Sequence, residues 1–123
     1  MSELIEGNVF AFGPDGILTV FEIQDIKRFF FIRDVPYGER RGGHAHKECI
    51  QYISCPIGSF KLELTLEGGK KQEYFLNNSN RIIKINPKTW VDMLDFASGT
   101  IVVVAATHHY DPDDYMYNID SIL

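Results

Sequence analysis

Phe60-Lys61-Leu62-Glu63-Leu64-Thr65-Leu66-Glu67 places apolar residues at every even position and polar ones at every odd position. A period of two is what a strand with one buried face requires, because successive side chains point to opposite sides. Gly68-Gly69 follows as a turn, and residues 72–76 return as the partner strand. Downstream, Asn77-Asn78-Ser79-Asn80 leads into Arg81-Ile82-Ile83-Lys84-Ile85, and Asn86-Pro87 interrupts the chain before residues 90–96. Ala97-Ser98-Gly99 then turns into residues 100–106, a run apolar on both faces that reads as a central strand covered on both sides. Upstream, Gly13-Pro14-Asp15-Gly16 marks a turn before a strand over 17–23, and Phe29-Phe30-Phe31-Ile32 sits in a β-prone run over 27–33. Roughly eight to ten short strands at turn-marked intervals predict an all-β sandwich or barrel. Only residues 111–123 carry a helix signal, with Asp111 as N-cap and Pro112 at the first helical position.

A chain of 123 residues is expected to form one domain spanning 1–123. Its composition, 45% hydrophobic and 24% charged, is that of an ordinary globular protein. The formal net charge of −5 argues against a general binder of nucleic acid or anionic membrane, yet leaves room for one phosphorylated small molecule on a local basic cluster. Cys49 and Cys55 show neither metal-ligand spacing nor a disulfide framework, and Met1-Ser2-Glu3-Leu4-Ile5-Glu6 lacks the basic and apolar regions of a signal peptide. The longest apolar run, over 101–106, is too short to span a bilayer. A reducing cytoplasm is the expected location.

The densest chemical signal is Gly38-Glu39-Arg40-Arg41-Gly42-Gly43-His44-Ala45-His46-Lys47. On a strand, residues two apart share a face, so His44 and His46 project together, into the barrel if Ala45 faces outward. Arg40 and Arg41 just before them, and Arg28 upstream, are candidates for a diphosphate, since a guanidinium matches phosphate oxygens bidentately. A metal site wants three or four N, O or S ligands, and the two histidines stand nearly alone, so a metal-free site without cofactor is expected. His108 and His109 end an apolar run and read as strand-end or loop residues.

Five residues separate Gly38 from His44, one His44 from His46, four His46 from Gln51 and six Gln51 from Gly58. This pattern resembles the first motif of the cupins, with Gln51 where metal-binding members usually carry Glu. Pro87-Lys88-Thr89-Trp90-Val91-Asp92 resembles the second motif without its histidine. Over nearly its whole length the chain resembles the nucleotide-sugar 3,4-ketoisomerases. The resemblance rests on Gly16-Ile17-Leu18-Thr19-Val20-Phe21-Glu22, Lys27-Arg28, Arg41-Gly42-Gly43-His44-Ala45-His46-Lys47, Gln51, Pro87 with Trp90, and Tyr110-Asp111-Pro112-Asp113-Asp114-Tyr115. It implies a small cupin-type barrel or jelly roll with a short C-terminal helix or irregular tail, and a homodimer that exchanges strands. It also implies a thymidine-diphosphate-linked 4-keto-6-deoxyhexose as substrate, keto migration from carbon 4 to carbon 3, and a place in deoxysugar biosynthesis for lipopolysaccharide or another surface polysaccharide. Asp15, before the first glycine, and Val91, after the tryptophan, depart from the family pattern at positions expected to face the sugar.

Moving a ketone to the adjacent carbon requires removing a proton beside a carbonyl, passing through an enediol and reprotonating the neighbouring carbon. Imidazole, with a reference pKa of ~6.5, suits the base. His44 is assigned as base and His46 as its partner, although spacing treats them alike. Arg41 and Gln51 are expected to stabilise the enediolate, Arg41 and Arg28 to hold the diphosphate, Tyr37 to reach the sugar, and Trp90 to stack on the base or fill the core. The competing readings are a metal-dependent cupin using His44 and His46 with His108 or Asp92, a non-catalytic nucleotide-sugar binding module, and a 3,5-epimerase of related fold.

Overall fold

A computed structural model describes residues 2–11 and 16–123. Within them twelve strands follow in chain order: β1 (Ser2–Glu6), β2 (Asn8–Ala11), β3 (Ile17–Val20), β4 (Arg28–Arg33), β5 (Arg41–His46), β6 (Gln51–Ile57), β7 (Phe60–Thr65), β8 (Lys71–Leu76), β9 (Arg81–Ile85), β10 (Trp90–Leu94), β11 (Ile101–Ala106) and β12 (Tyr115–Met116). One five-stranded sheet has the order β1-β9-β6-β11-β4, a second the order β12-β5-β10-β7-β8, and β2-β3 form a separate hairpin. Adjacent strands pair antiparallel in both large sheets, including β7 with β8 from Phe60↔Leu76 to Thr65↔Lys71. The two sheets face each other as a jelly roll of the cupin type.

The alternation over 60–67 decides which face of β7 is dry. Phe60, Leu62 and Leu64 are fully buried, and Lys61 and Glu63 lie on the wetter side. They join Ile53, Cys55, Ile83, Val102 and Val104 from the opposite sheet in one core, where Phe60 stacks on Phe96 at 5.3 Å. Fully burying a side chain of this kind contributes about 1.5–3 kcal/mol. The pattern ends earlier than read: Thr65 is buried, and Leu66 already belongs to the turn, its N–H donating to Lys70 O at 2.7 Å.

Strand β11 is central, between β6 and β4, but covered on one side only: Val102, Val104 and Ala106 are buried while Ile101, Val103 and Ala105 are half-buried. The neighbouring Phe29 and Phe31 of β4 are exposed on that same outer face. The tail forms no α-helix. Asp111 does cap Pro112–Asp114, but as a single 3-10 turn, because Tyr115 and Met116 are then captured by β5 as an edge strand, paired Tyr115↔His46 and Met116↔Ala45. A second 3-10 turn, Ile119–Ser121, brings Ile122 over the outside of β5. The turn read at Gly13-Pro14-Asp15, and with it the Asp15 departure, lies outside the described residues.

Candidate active site

Two adjacent glycines shape the start of β5. Gly42 has a φ of +92°, and a Cβ there would stand 2.6 Å from Val91 O, so only glycine lets β5 lie this close to β10. Register against β10 slips across Gly43, from Val91↔His44 to Asp92↔Gly42, which is the geometry of a β-bulge. Beyond the bulge the strand is regular, and Ala45 packs outward with Trp90 and Ile122. His44 and His46 therefore both turn inward, their rings 5.2 Å apart and nearly perpendicular.

A cavity of about 410 Å³ opens beside them, lined by Arg40, Arg41, Gly42, His44, Gln51, Tyr110, Tyr115 and Tyr117 over an apolar floor that includes Ile32, Met93 and Val104. The tyrosines form a wall: Tyr115 stacks on Tyr117 at 5.7 Å, and its ring lies 5.0 Å from His44 and 4.4 Å from His46. His46 sits behind this wall, 5% exposed, with Nδ1 2.8 Å from Asp114 Oδ2.

Among the expected site residues, His44, Arg41 and Gln51 line the cavity, whereas Arg28 is not part of the lining and lies over the ring of Tyr110, which is. Arg28 pairs with neither Asp25 nor Glu22; its Nε donates to His108 O at 3.0 Å. Arg40 reaches Glu63 at 3.4 Å. Trp90 and Tyr37 are not brought to the cavity. Trp90 is buried on the outer side of β5 and β10, because the odd-even phase that turns the histidines inward turns Trp90 outward. Tyr37 is 78% exposed in the turn before β5. Val91 is buried in the main core and contributes nothing to the lining. His108 and His109 are exposed loop residues, as read.

Asp114 is a site residue that the local sequence does not mark. The motif containing it was visible, but its partner His46 is 68 positions away and only the captured tail brings them together. The same closure places His46, Cys49 and Asp114 with potential metal-ligand atoms within 4.8 Å of one another, a different group from His44 and His46 with His108 or Asp92. Asp114, Cys49 and Nδ1 of His46 are already engaged: Asp114 accepts from His46 Nδ1, from the Glu48 N–H at 2.8 Å and from the Cys49 N–H at 3.4 Å, and the Cys49 thiol donates to Ile50 O. An acid-base dyad fits this bonding better than a metal centre does.

Both imidazoles are biased toward the neutral form. Burial depresses His44 below the ordinary 6.5, with His46 and Arg41 acting in the same sense and the Gly42 carbonyl and Asp92 opposing. For His46 burial again dominates, over the opposing hydrogen bond and charge of Asp114. Burial alone would raise Asp114, but hydrogen bonds from His46 and from the Glu48 and Cys49 N–H groups hold it below the usual 3.8. A neutral base loses activity only when it protonates. The acid limb of kcat/KM is therefore expected below pH 6.5, and a pH-rate profile with its acid midpoint at or above 6.5 would contradict this. Between the folded pKa and the unfolded value, the unfolded chain binds more protons. Stability contributed by these histidines is thus full above pH 6.5 and falls as pH drops through that window.

Residues 12–123 match the family model described as FdtA: WxcM-like, C-terminal. The chain is 35% identical over 96 residues to the TDP-4-oxo-6-deoxy-alpha-D-glucose-3,4-oxoisomerase of Aneurinibacillus thermoaerophilus, covering 78% of this chain and 68% of that protein. Among solved structures, it is similar to a His-to-Asn mutant of the 3,4-ketoisomerase QdtA from Thermoanaerobacterium thermosaccharolyticum in complex with TDP-4-keto-6-deoxyglucose. That likeness has a TM-score of 0.90 at 32% identity, over 98% of this chain and 93% of the other. WlaRA, a TDP-fucose-3,4-ketoisomerase from Campylobacter jejuni, matches with a TM-score of 0.89 at 25% identity, over 98% of this chain and 92% of its own.

Proposed function

Since the chain belongs to the WxcM-like family that its residues 12–123 match, we propose that it moves the keto group of a dTDP-4-keto-6-deoxyhexose from carbon 4 to carbon 3. It is a dTDP-sugar 3,4-ketoisomerase of deoxysugar biosynthesis, and residues 1–123 act as one cupin-like domain. The observation that carries this reading is the pair of inward-facing imidazoles beside a cavity with arginines at its rim.

His44 takes the proton from carbon 3, beside the ketone, and returns one to carbon 4 through an enediol. General-base help supplies ~10²–10⁴-fold, so further acceleration has to come from donors set around the developing oxyanion in a site that excludes water. Arg41 and Gln51 are those donors, with Arg41 and Arg28 also toward the diphosphate. Tyr115, which touches both histidines, excludes water. No metal enters this scheme. The test is incubation with a TDP-4-keto-6-deoxy sugar in deuterated water after prolonged chelation, followed by proton NMR. Deuterium uptake with formation of the 3-keto sugar is the expected result. Activity lost on chelation and restored by zinc, iron or manganese would move the reading to a metal cupin. Tight binding without exchange would move it to a binding module.

The active form is a homodimer with exchanged strands. Phe29 and Phe31 are 64% and 61% exposed on an edge strand, and the β2-β3 hairpin carries exposed Val9, Ile17 and Leu18 while pairing with neither large sheet. Bare edges and apolar patches of this kind are normally covered. Sedimentation at micromolar concentration is expected to give the dimer mass, and a monomer would count directly against it. Among the described residues no helix is long and apolar enough to cross a membrane. The enzyme is placed in the cytoplasm, a reading that the two free, buried cysteines favour.

A further inference from the structure

His44 and His46 differ in a way their spacing conceals. His44 opens on the cavity, whereas His46 is almost wholly buried, its Nδ1 against Asp114 and its Nε2 buried with no hydrogen-bond partner. Asp114 is fixed from several sides. Its Oδ1 accepts from the Glu48 N–H, its backbone O from the Lys47 N–H at 2.8 Å, and its own N–H donates to Asp111 O at 3.1 Å. An ionised carboxylate can only accept, so the hydrogen shared with His46 sits on Nδ1. A neutral imidazole carries one such hydrogen, which leaves the lone pair on Nε2. An interior acceptor without a partner opposes folding, and such groups are kept where they serve chemistry.

We propose that Asp114 is a positioning residue of the isomerisation: it locks His46 as the Nδ1–H tautomer and so presents the Nε2 lone pair as a proton acceptor beside His44. This deepens the ketoisomerase reading and rests on it. Keto migration exchanges two protons. The carbon 3 proton leaves and carbon 4 gains one, while the hydroxyl on oxygen 3 gives up its proton and oxygen 4 becomes a hydroxyl. The electron pair stays within the sugar, so no oxidant or reductant takes part. A neutral imidazole can accept only one further proton, and a second, correctly tautomerised imidazole lets the oxygen-bound proton move without waiting for the carbon-bound one.

The test is Asp114→Asn together with the tautomer of His46 in the unmodified protein. Asparagine keeps an oxygen for the Glu48 N–H, but its amide can donate to Nδ1 and so favours the Nε2–H form. In other His-carboxylate pairs that change lowers turnover by about 10⁴-fold with the geometry intact. Here kcat is expected to fall by at least ~10²-fold with KM little changed. Nitrogen-15 NMR, with His46 assigned by the signal lost in His46→Gln, is expected to show Nδ1 protonated in the unmodified protein and Nε2 protonated in Asp114→Asn. A kcat within about threefold of the parent for the folded variant, or an Nε2–H tautomer in the unmodified protein, would overturn the proposal. The NMR measurement needs no substrate, so an unmodified chain that fails to turn over the keto sugar would sink the isomerase reading alone.

Discussion

His44→Asn is expected to keep the barrel folded, retain much of the affinity for the keto sugar, and lose at least ~10²-fold in turnover, the lower bound for a general base. His44 is half-buried on the cavity wall, and its backbone is held by pairing with Val91, which the substitution leaves intact. Asparagine fits the space and keeps one hydrogen-bonding edge, so the loss falls on proton transfer. Exchange of the carbon-bound proton with deuterated solvent is expected to drop in parallel with turnover, because abstraction precedes the enediol. His46→Asn makes an informative contrast. It also slows turnover, but it disturbs the partner of a partly buried carboxylate, so some loss of stability accompanies it. Residual exchange in His46→Asn beside none in His44→Asn would place the carbon base at His44, and the reverse would place it at His46. Full activity in both would make the His-x-His pair structural and end the mechanism.

What the sequence made legible was set by local rules. Alternation over Phe60–Leu64 gave the dry face of β7, and the same period of two turned His44 and His46 inward once Ala45 was known to pack outward. The rule also contains the position of Trp90, since a residue one strand step from Val91 and three from Met93 faces away from both; the motif draws attention to the ring and away from its phase. The bulge at Gly43 was hidden, because two consecutive glycines announce a departure from regular backbone without giving its register. Asp114 was harder. Its role depends on capture of the tail by β5, a contact between distant segments that no local period encodes. Tyr37 failed for the opposite reason: closeness in sequence to Gly38 did not carry its side chain to the cavity.

Arg41→Lys is expected to lower kcat/KM by ~2–4 kcal/mol, the scale of losing a preorganised electrostatic donor, or about 30- to 10³-fold. The arginines differ in what already holds them. Arg28 is turned onto His108 O, and Arg40 is drawn to Glu63, whereas among the described residues Arg41 makes no ion pair while lining the cavity. In a chain of net charge −5, an uncompensated guanidinium beside an imidazole implies an anion to come. Lysine is the informative replacement because it preserves the charge that helps to hold His44 neutral, so the acid limb of the pH profile stays where it was. What lysine removes is the planar fork that grips two oxygens at once. A loss in kcat/KM with an unmoved acid limb therefore assigns Arg41 to oriented binding of the diphosphate or the sugar oxygens. Unchanged steady-state kinetics would return Arg41 to the role of a residue that only leads into the bulge.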